Sequence, residues 1–453
     1  MKKLLEGPAP VPACFAIAKV DERPFLSKHG LQLAVLSGLI GLALTGVARA
    51  SDLTDLLQHT LDNPGIAASE LQSQAAAEDV SAANLRYLGQ ANVFAGRYSY
   101  NTPRVIGVFT PGVTALPVPS SGDITQSGIN YRLPVDVFGV IAAERKQAQA
   151  GSEIAQLLAR QETLLRLHQS LAAYVRLQAL AAQSEALRAE QKQLDVYANQ
   201  VREEVKLGRT ARLDLSLVQS ELARLASQQM VFEGNQRAAL AELKASANVT
   251  DPSISGTIVV PTLQNADGQA SLPIALAREQ QTLADEAAQK ARRSLLPSFG
   301  VDGQYANYDG SGIQRNVWTV GIDMSIPLDP AAMKSASASM LRARAAREQS
   351  LAVQADTLAQ ISTLEASYWS AVGNAQALAA EVEHRQDVTT VERGKWQLGA
   401  GTMDELLYQE RNLLDAQYAL ADSRAQGATA WSGMQMLLGI PSAQYINFLE
   451  AKP

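Results

Sequence analysis

The chain has 453 residues, 47 % hydrophobic and 19 % charged, too charged for a polytopic helical membrane protein and too apolar for a disordered one. Aromatic residues are only 5 %, so the interior has to be built from Ala and Leu, the composition of long packed helices. The net charge is -6, and because Lys2, Lys3, Lys19, Arg23, Lys28 and Arg49 outnumber the acidic residues of the leader, the remainder is more acidic still and offers nucleic acid no electrostatic footprint.

Residues 31–50 follow Lys28 and His29, run apolar and end in Ala48-Arg49-Ala50, the order of a secretion signal. The run is short and glycine-interrupted for a transmembrane anchor, so residues 1–50 read as a signal peptide cleaved before Ser51. The single cysteine, Cys14, follows Val11-Pro12-Ala13, a poor lipobox, and the exported chain is left with no cysteine for a disulfide or a thiolate metal site.

A first helix is expected to open at Leu53 and run through Asn63-Pro64. A strand at about 91–101 shows Phe94, Tyr98 and Tyr100 in alternation, and a Pro/Gly/Ser-rich connection covers 102–124. Over 129–137 Ile129, Tyr131, Leu133, Val135 and Val137 alternate with Asn130, Arg132, Pro134 and Asp136, the period of a half-buried strand. Residues 140–206 carry neither proline nor strand signal; as one helix they would be about 100 Å long. Leu180, Leu187, Leu194 and Val201 repeat there at seven, so the helix is built to pack against others at a shallow angle. Gly208 ends it.

The same order then returns. Residues 297–308, with Phe299, Val301 and Tyr305, and 318–328, with Trp318, Val320, Ile322, Met324, Ile326 and Leu328 on one face, predict a second hairpin joined by YDGSGIQRN. A second proline-poor helix ends at Gly399, and Leu406, Leu413 and Leu420 space the last one. Leu88, Gly96 and Tyr98 lie over Leu295, Gly303 and Tyr305; Pro134 and Asp136 over Pro327 and Asp329; Leu207-Gly208 over Leu398-Gly399. The chain therefore reads as a duplication, with 51–250 the first repeat, 251–271 a linker, 272–440 the second repeat and 441–453 a tail.

Strands of this length suit an outer-membrane barrel, and Tyr98, Tyr100, Tyr131, Tyr305, Tyr308 and Trp318 sit toward strand ends where an interfacial girdle belongs. Four strands cannot close a barrel, and an open edge in hydrocarbon leaves backbone groups unpaired at several kcal/mol each. Closure has to come from other copies. The competing reading is a soluble periplasmic coiled-coil adaptor or scaffold whose strands form a small sandwich.

On Asn63-Pro64, the RLPVDVFG and SIPLD blocks and the two Leu-Gly turns each followed by an acidic side chain, the chain resembles the TolC-like outer membrane factors over 51–440. The resemblance implies a mainly α fold with transmembrane β: long helical hairpins in a trimeric α-barrel below a shared 12-stranded β-barrel. It further implies a homotrimer in the outer membrane of a Gram-negative bacterium, extending into the periplasm, that serves as the passive exit duct of a tripartite efflux pump or type I secretion system. The partners would be a periplasmic adaptor, an inner-membrane transporter and outer-membrane lipid.

By the same resemblance the turns at 207–211 and 398–402 are the periplasmic tips. Leu207, Gly208, Thr210, Leu398, Gly399 and Thr402 would dock the adaptor, and Asp214, Asp404 and Glu405 would ring the constriction, where like charges select cations. Thr402 and Glu405 also fit a capping box. The family locks this turn with an arginine and a tyrosine where this chain has Gly401 and Trp396; Arg209 and Arg212 are the candidate substitutes, as partners of Asp404 or Glu405. Catalysis is not expected: His29, His59, His168 and His384 are unpaired, and no metal motif, phosphate loop or nucleophile elbow is present, so neither metal nor cofactor is assigned.

Overall fold

The computed structural model describes residues 53–105, 119–263, 268–310 and 313–450. The signal peptide, Cys14 and the cleavage site before Ser51 lie outside the described residues, as does 106–118 of the predicted 102–124 connection. The elements are α1 (Leu53–Thr60), α2 (Pro64–Leu85), β1 (Gln90–Val105), β2 (Pro119–Val135), α3 (Val140–Lys206), α4 (Arg212–Ala247), α5 (Leu272–Arg293), β3 (Ser298–Gly310), β4 (Ile313–Ser325), α6 (Pro330–Gln397), α7 (Met403–Leu438) and α8 (Ser442–Glu450). Helix lengths of 22, 67 and 36 residues in α2, α3 and α4 return as 22, 68 and 36 in α5, α6 and α7. The duplication is thus one of architecture as well as of sequence.

Two expectations need correction. The first helix is two, because Pro64 has no N–H to continue a helix. Asn63 sits at the break: its side-chain oxygen accepts the Gly65 N–H at 2.8 Å while its amide donates to the carbonyls of Ala245 and Ser246 at 3.1 and 2.9 Å, closing the start of α2 and the end of α4 together. The first hairpin is also longer than predicted, with pairing that continues to Arg104 against Ser120 and Val105 against Pro119 beyond an irregularity at Tyr100.

The repeated Pro-x-Asp blocks have a local cause. Asp329 caps α6 by accepting the Ala331 N–H at 2.8 Å, and Asp136 accepts the Ala142 N–H in the first turn of α3 at 2.9 Å. Each long helix is therefore started by the carboxylate that ends the preceding strand. Gly139, at φ 72°, turns the chain into α3, and Arg293 of the other repeat donates to its carbonyl at 2.8 Å.

The four strands form one antiparallel sheet in the order β1-β2-β3-β4, leaving β1 and β4 as its edges. Register places Val93, Ile129, Tyr305 and Trp318 in one row, followed on the same face by Leu133, Val301 and Ile322, then Val135, Phe299 and Met324. The opposite face carries Asn92, Asn130, Gln304 and Thr319, with Arg132, Asp302 and Asp323 beyond them. Arg132 reaches Asp323 at 2.6 Å and Asp302 at 3.6 Å. The apolar face is uncovered, Trp318 being 74 % and Ile322 83 % exposed.

Of the aromatics expected in a girdle, Tyr131, Tyr305 and Trp318 lie on the apolar face, whereas Tyr98 and Tyr308 fall in the register of the polar one, as does Phe94. Phe94 there covers Gly128, where an added Cβ would stand 2.8 Å from the ring. In β1 the alternation of large residues marked the inward face.

Below the sheet the helices form a wall of two tiers. α2, α3, α5 and α6 stand side by side in the upper one; α4, α3, α7 and α6 continue it downward, so α3 and α6 run through both. α3 is central and buries 21 of its residues, Leu187, Leu194 and Val201 among them, whereas α6 at the margin buries only seven. One core lies at the waist, where α1, α8, Trp431, Tyr174 and the segment around Ile258 pack together; the second lies lower, among α3, α4 and α7. The waist segment is pinned by Tyr174 and Gln178 of α3, which donate to the Ser255 carbonyl at 3.0 and 2.9 Å, and by Tyr368 of α6, which donates to the Pro261 carbonyl at 2.8 Å.

Candidate functional site

Both helical hairpins turn in the same way. Past α3, Gly208 N–H bonds the Val205 carbonyl at 3.1 Å and Arg209 N–H the Glu204 carbonyl at 2.9 Å; past α6, Gly399 bonds Trp396 at 3.0 Å and Ala400 bonds Lys395 at 2.8 Å. This pair of bonds needs a left-handed residue between them. Gly208 and Gly399, at φ 70° and 72°, supply it. Leu207 and Leu398 project beside them, 66 % and 85 % exposed.

The two turns differ in their caps. Ala211 gives α4 no side-chain cap, and Thr210 instead donates to Glu204 at 2.9 Å. Thr402 caps α7 by accepting the Glu405 N–H at 3.2 Å, while the Glu405 carboxylate accepts from Gln409 at 2.8 Å, so only half of the expected capping box forms. Asp214 and Asp404 occupy corresponding first turns of α4 and α7, where the positive helix end favours them. Asp404 and Glu405 border a recess of about 370 Å³ that Glu221, Tyr408 and Arg411 also line.

Among the described residues of one chain neither Arg209 nor Arg212 forms an ion pair with Asp404 or Glu405, and Arg411 is the cation that lines their recess. Trp396 of α6 meets α3. It packs edge-on against Tyr197, ring centres 5.1 Å apart, as part of the lower core.

The ties between the two hairpins lie deeper. Arg393 of α6 donates to Glu410 of α7 at 2.8 Å and to the Tyr197 hydroxyl of α3 at 2.7 Å; that hydroxyl donates in turn to Glu410 at 3.1 Å. Beside them Glu221 of α4 accepts from Arg224 at 2.7 Å and from Arg411 of α7 at 2.8 Å. Glu410 is buried to 3 % exposure, where an ionised carboxylate survives only with such partners. Burial and then the neighbouring Glu410 charge push Glu190 up to about 8. Burial raises Glu221 as well, but the hydrogen bonds from Arg224 and Arg411 outweigh it and hold it below the usual range. Burial, then Glu410, push Tyr197 up to about 12.

Sequence reasoning passed over this network, although a signal existed: Glu190 and Tyr197 fall between Leu187, Leu194 and Val201 on the inward stripe of α3, and Glu410 lies with Met403, Leu407 and Leu414 on that of α7. A charge inside a heptad core is expensive and calls for a partner. Elsewhere the wall holds a groove of about 1,770 Å³ bordered by Arg166, Arg176, Asp356, Gln360 and Asp422. His168 lies at its rim, its Nδ1 within 2.8 Å of Ser432, and burial lowers its pKa. Among the described residues no cluster suits a metal ion, and no helix is long and apolar enough to cross a membrane.

No family model and no curated protein matches the sequence. Solved structures do. The CmeC outer membrane channel of Campylobacter jejuni superposes with a TM-score of 0.73 at 14 % identity over 87 % of this chain and 88 % of that one. The outer membrane protein VceC of Vibrio cholerae gives 0.71 at 16 %, over 85 % and 96 %. The MtrE outer membrane channel of Neisseria gonorrhoeae, in its open state, gives 0.72 at 15 %, over 85 % and 88 %. The fold is that of these outer membrane channels. These superpositions cover 85 to 87 % of this chain and 88 to 96 % of the other three.

Proposed function

We propose that the protein is the outer-membrane channel of an export system, an efflux pump or a type I secretion system, and that copies of the chain close the sheet into a barrel and the wall into a tube. The observation that carries this reading is the two-faced open sheet. Its apolar face runs along β4 from Trp318 to Met324, about 20 Å of extended chain, or about 15 Å of height at the tilt of such barrels, which fits within the lipid-facing band of an outer-membrane barrel. A soluble protein would cover Trp318 and Ile322 with a second layer. The scaffold reading lacks that layer among the described residues.

Three copies give twelve strands. Two would give eight, whose interior has room for little besides side chains, while the polar face of this sheet, with its exposed Arg132 and Asp302, calls for water. Cargo would pass along the grooved wall and out through the barrel, driven by an inner-membrane transporter and an adaptor that engages the turns at Gly208 and Gly399. The tip opens when the α6–α7 hairpin parts from α3–α4, against the pull of Arg393–Tyr197 and Arg411–Glu221. Asp214, Asp404 and Glu405 are the carboxylates facing the constriction.

The test is fractionation and reconstitution of the full chain. Detergent-dependent extraction from outer membranes as a heat-dissociable trimer that forms ion-conducting pores in planar bilayers supports the reading. Release of a monomer by osmotic shock returns the scaffold.

A further inference from the structure

Resting on the ring reading above, we propose that the seam between neighbouring copies is keyed by charge, with acidic α2 of one copy set against the basic upper third of α6 in the next. These two helices are the margins of the upper tier. α2 packs on α3 alone and α6 at this height on α5, so each has an unpartnered face. α2 carries Glu70, Glu78 and Asp79 and no basic residue; residues 330–347 of α6 carry Lys334, Arg342, Arg344 and Arg347 and no acidic one, with Glu348 directly below them. All seven are exposed.

Their lack of partners sets them apart from the charges of the inner helices at the same height. Glu144 of α3 is held by Arg86 at 2.8 Å and by Lys290 of α5 at 3.2 Å, and Glu286 of α5 by Lys146 at 3.6 Å. None of the seven marginal charges pairs with another described residue of its own chain. Apolar side chains accompany them: Leu71 and Leu85 on α2 and Leu341 on α6 are each at least 60 % exposed.

The heights agree. Counting 1.5 Å per residue down α2 from Arg86, which is tied to Glu144, places Glu78 about 12 Å below that level. The other path runs down α5 from Lys290 and through the turn preceding that helix to Gln269, which Gln354 of α6 meets at 2.9 Å, and back up α6, placing Arg342 and Arg344 roughly 14 to 17 Å below it. When copies follow one another around the ring, Glu78 and Asp79 arrive at the height of Arg342 and Arg344 to about one helical turn, the two arginines flanking the margin of α6 on its two sides. Because the two margins have opposite sign, each copy is complementary to the next in one direction only, which favours a closed head-to-tail ring.

The experiment uses the purified full chain in detergent. The ring-to-monomer dissociation temperature is read by native mass and gel mobility at low and high salt for wild type, Glu78→Lys with Asp79→Lys, Arg342→Glu with Arg344→Glu, and all four together. The expected result is a wild-type ring that loosens with salt, a lower dissociation temperature in each double variant, and recovery in the quadruple variant. Wild-type behaviour in both double variants, or additive loss in the quadruple one, overturns the charged seam and leaves the ring standing. A wild-type chain that never forms a ring overturns the ring reading, and with it this seam; an unrelated protein bound along α2 in place of a second copy belongs to that outcome.

Discussion

Glu190 gives the lower core a response to rising pH. Its folded pKa is raised from the carboxylate range to about 8, so the folded chain keeps a proton that the unfolded chain has already released. Stability contributed by that proton is fully present below the unfolded pKa and declines as pH rises toward 8, by at most about 1.4 kcal/mol per pH unit. Thermal unfolding between pH 5 and pH 9 should show this decline, and Glu190→Gln, which keeps the neutral shape, should flatten it; an unchanged slope in the variant rejects the assignment. The paired arginines make a second prediction. Arg411→Ala frees the α7 hairpin from Glu221 and should raise single-channel conductance, whereas Arg212→Ala, with no partner across the hairpins, should leave it near wild type. The reverse order would move the latch back to the turn. Little of this was legible in the sequence, because Arg393, Tyr197 and Glu410 are brought together from three helices and no spacing along one helix reveals the set.

At the scale of elements, the sheet separates two kinds of substitution. Ile322 and Thr319 belong to the same strand but to opposite faces. Ile322→Arg places a charge against lipid at about 2–4 kcal/mol near the middle of the bilayer, while Thr319→Arg meets water. The first should sharply reduce the folded membrane-inserted protein and the second should not, as read by heat-modifiable gel mobility; equal tolerance would mean that the apolar face does not meet lipid. β2 and β4 were legible only where one side is apolar, over Ile129–Val135 and Trp318–Met324; their other ends carry Asp123, Thr125 and Ser127, and Gln314 and Asn316, on that same side and gave no signal. In β1 Tyr98 was assigned to a girdle although it shares the polar face with Phe94, where the two rings fill space over Gly96 and Gly128. α3 and the glycine that ends it were legible to the residue, because an uninterrupted helix closed by a left-handed glycine leaves few alternatives.

For the whole molecule, the duplication explains why two unlike-looking halves build one continuous wall. Each repeat supplies a short upper helix, two strands, a long helix and a lower helix, and the pairs interleave, so that α3 has neighbours from both repeats in both tiers. The sequence announced the repeat through Pro134 and Pro327, Asp136 and Asp329, and Gly208 and Gly399, positions where the backbone demands a particular residue. Which helices stand at the margins was not announced, since the apolar stripe of α6 is spread among Ala and Ser and the partner it awaits is another molecule.

Because α3 and α6 pass unbroken from the barrel end to the turns, they behave as rigid shafts. Removing a single residue midway would rotate everything beneath by about 100° and draw it up by about 1.5 Å, so that Glu190 and Tyr197 would swing out of the wall while the strands above stayed in place. Only changes near multiples of seven preserve that phase. The length of these two helices is therefore tied to angular alignment between the two ends, and drift in evolutionary length is expected to come in heptads.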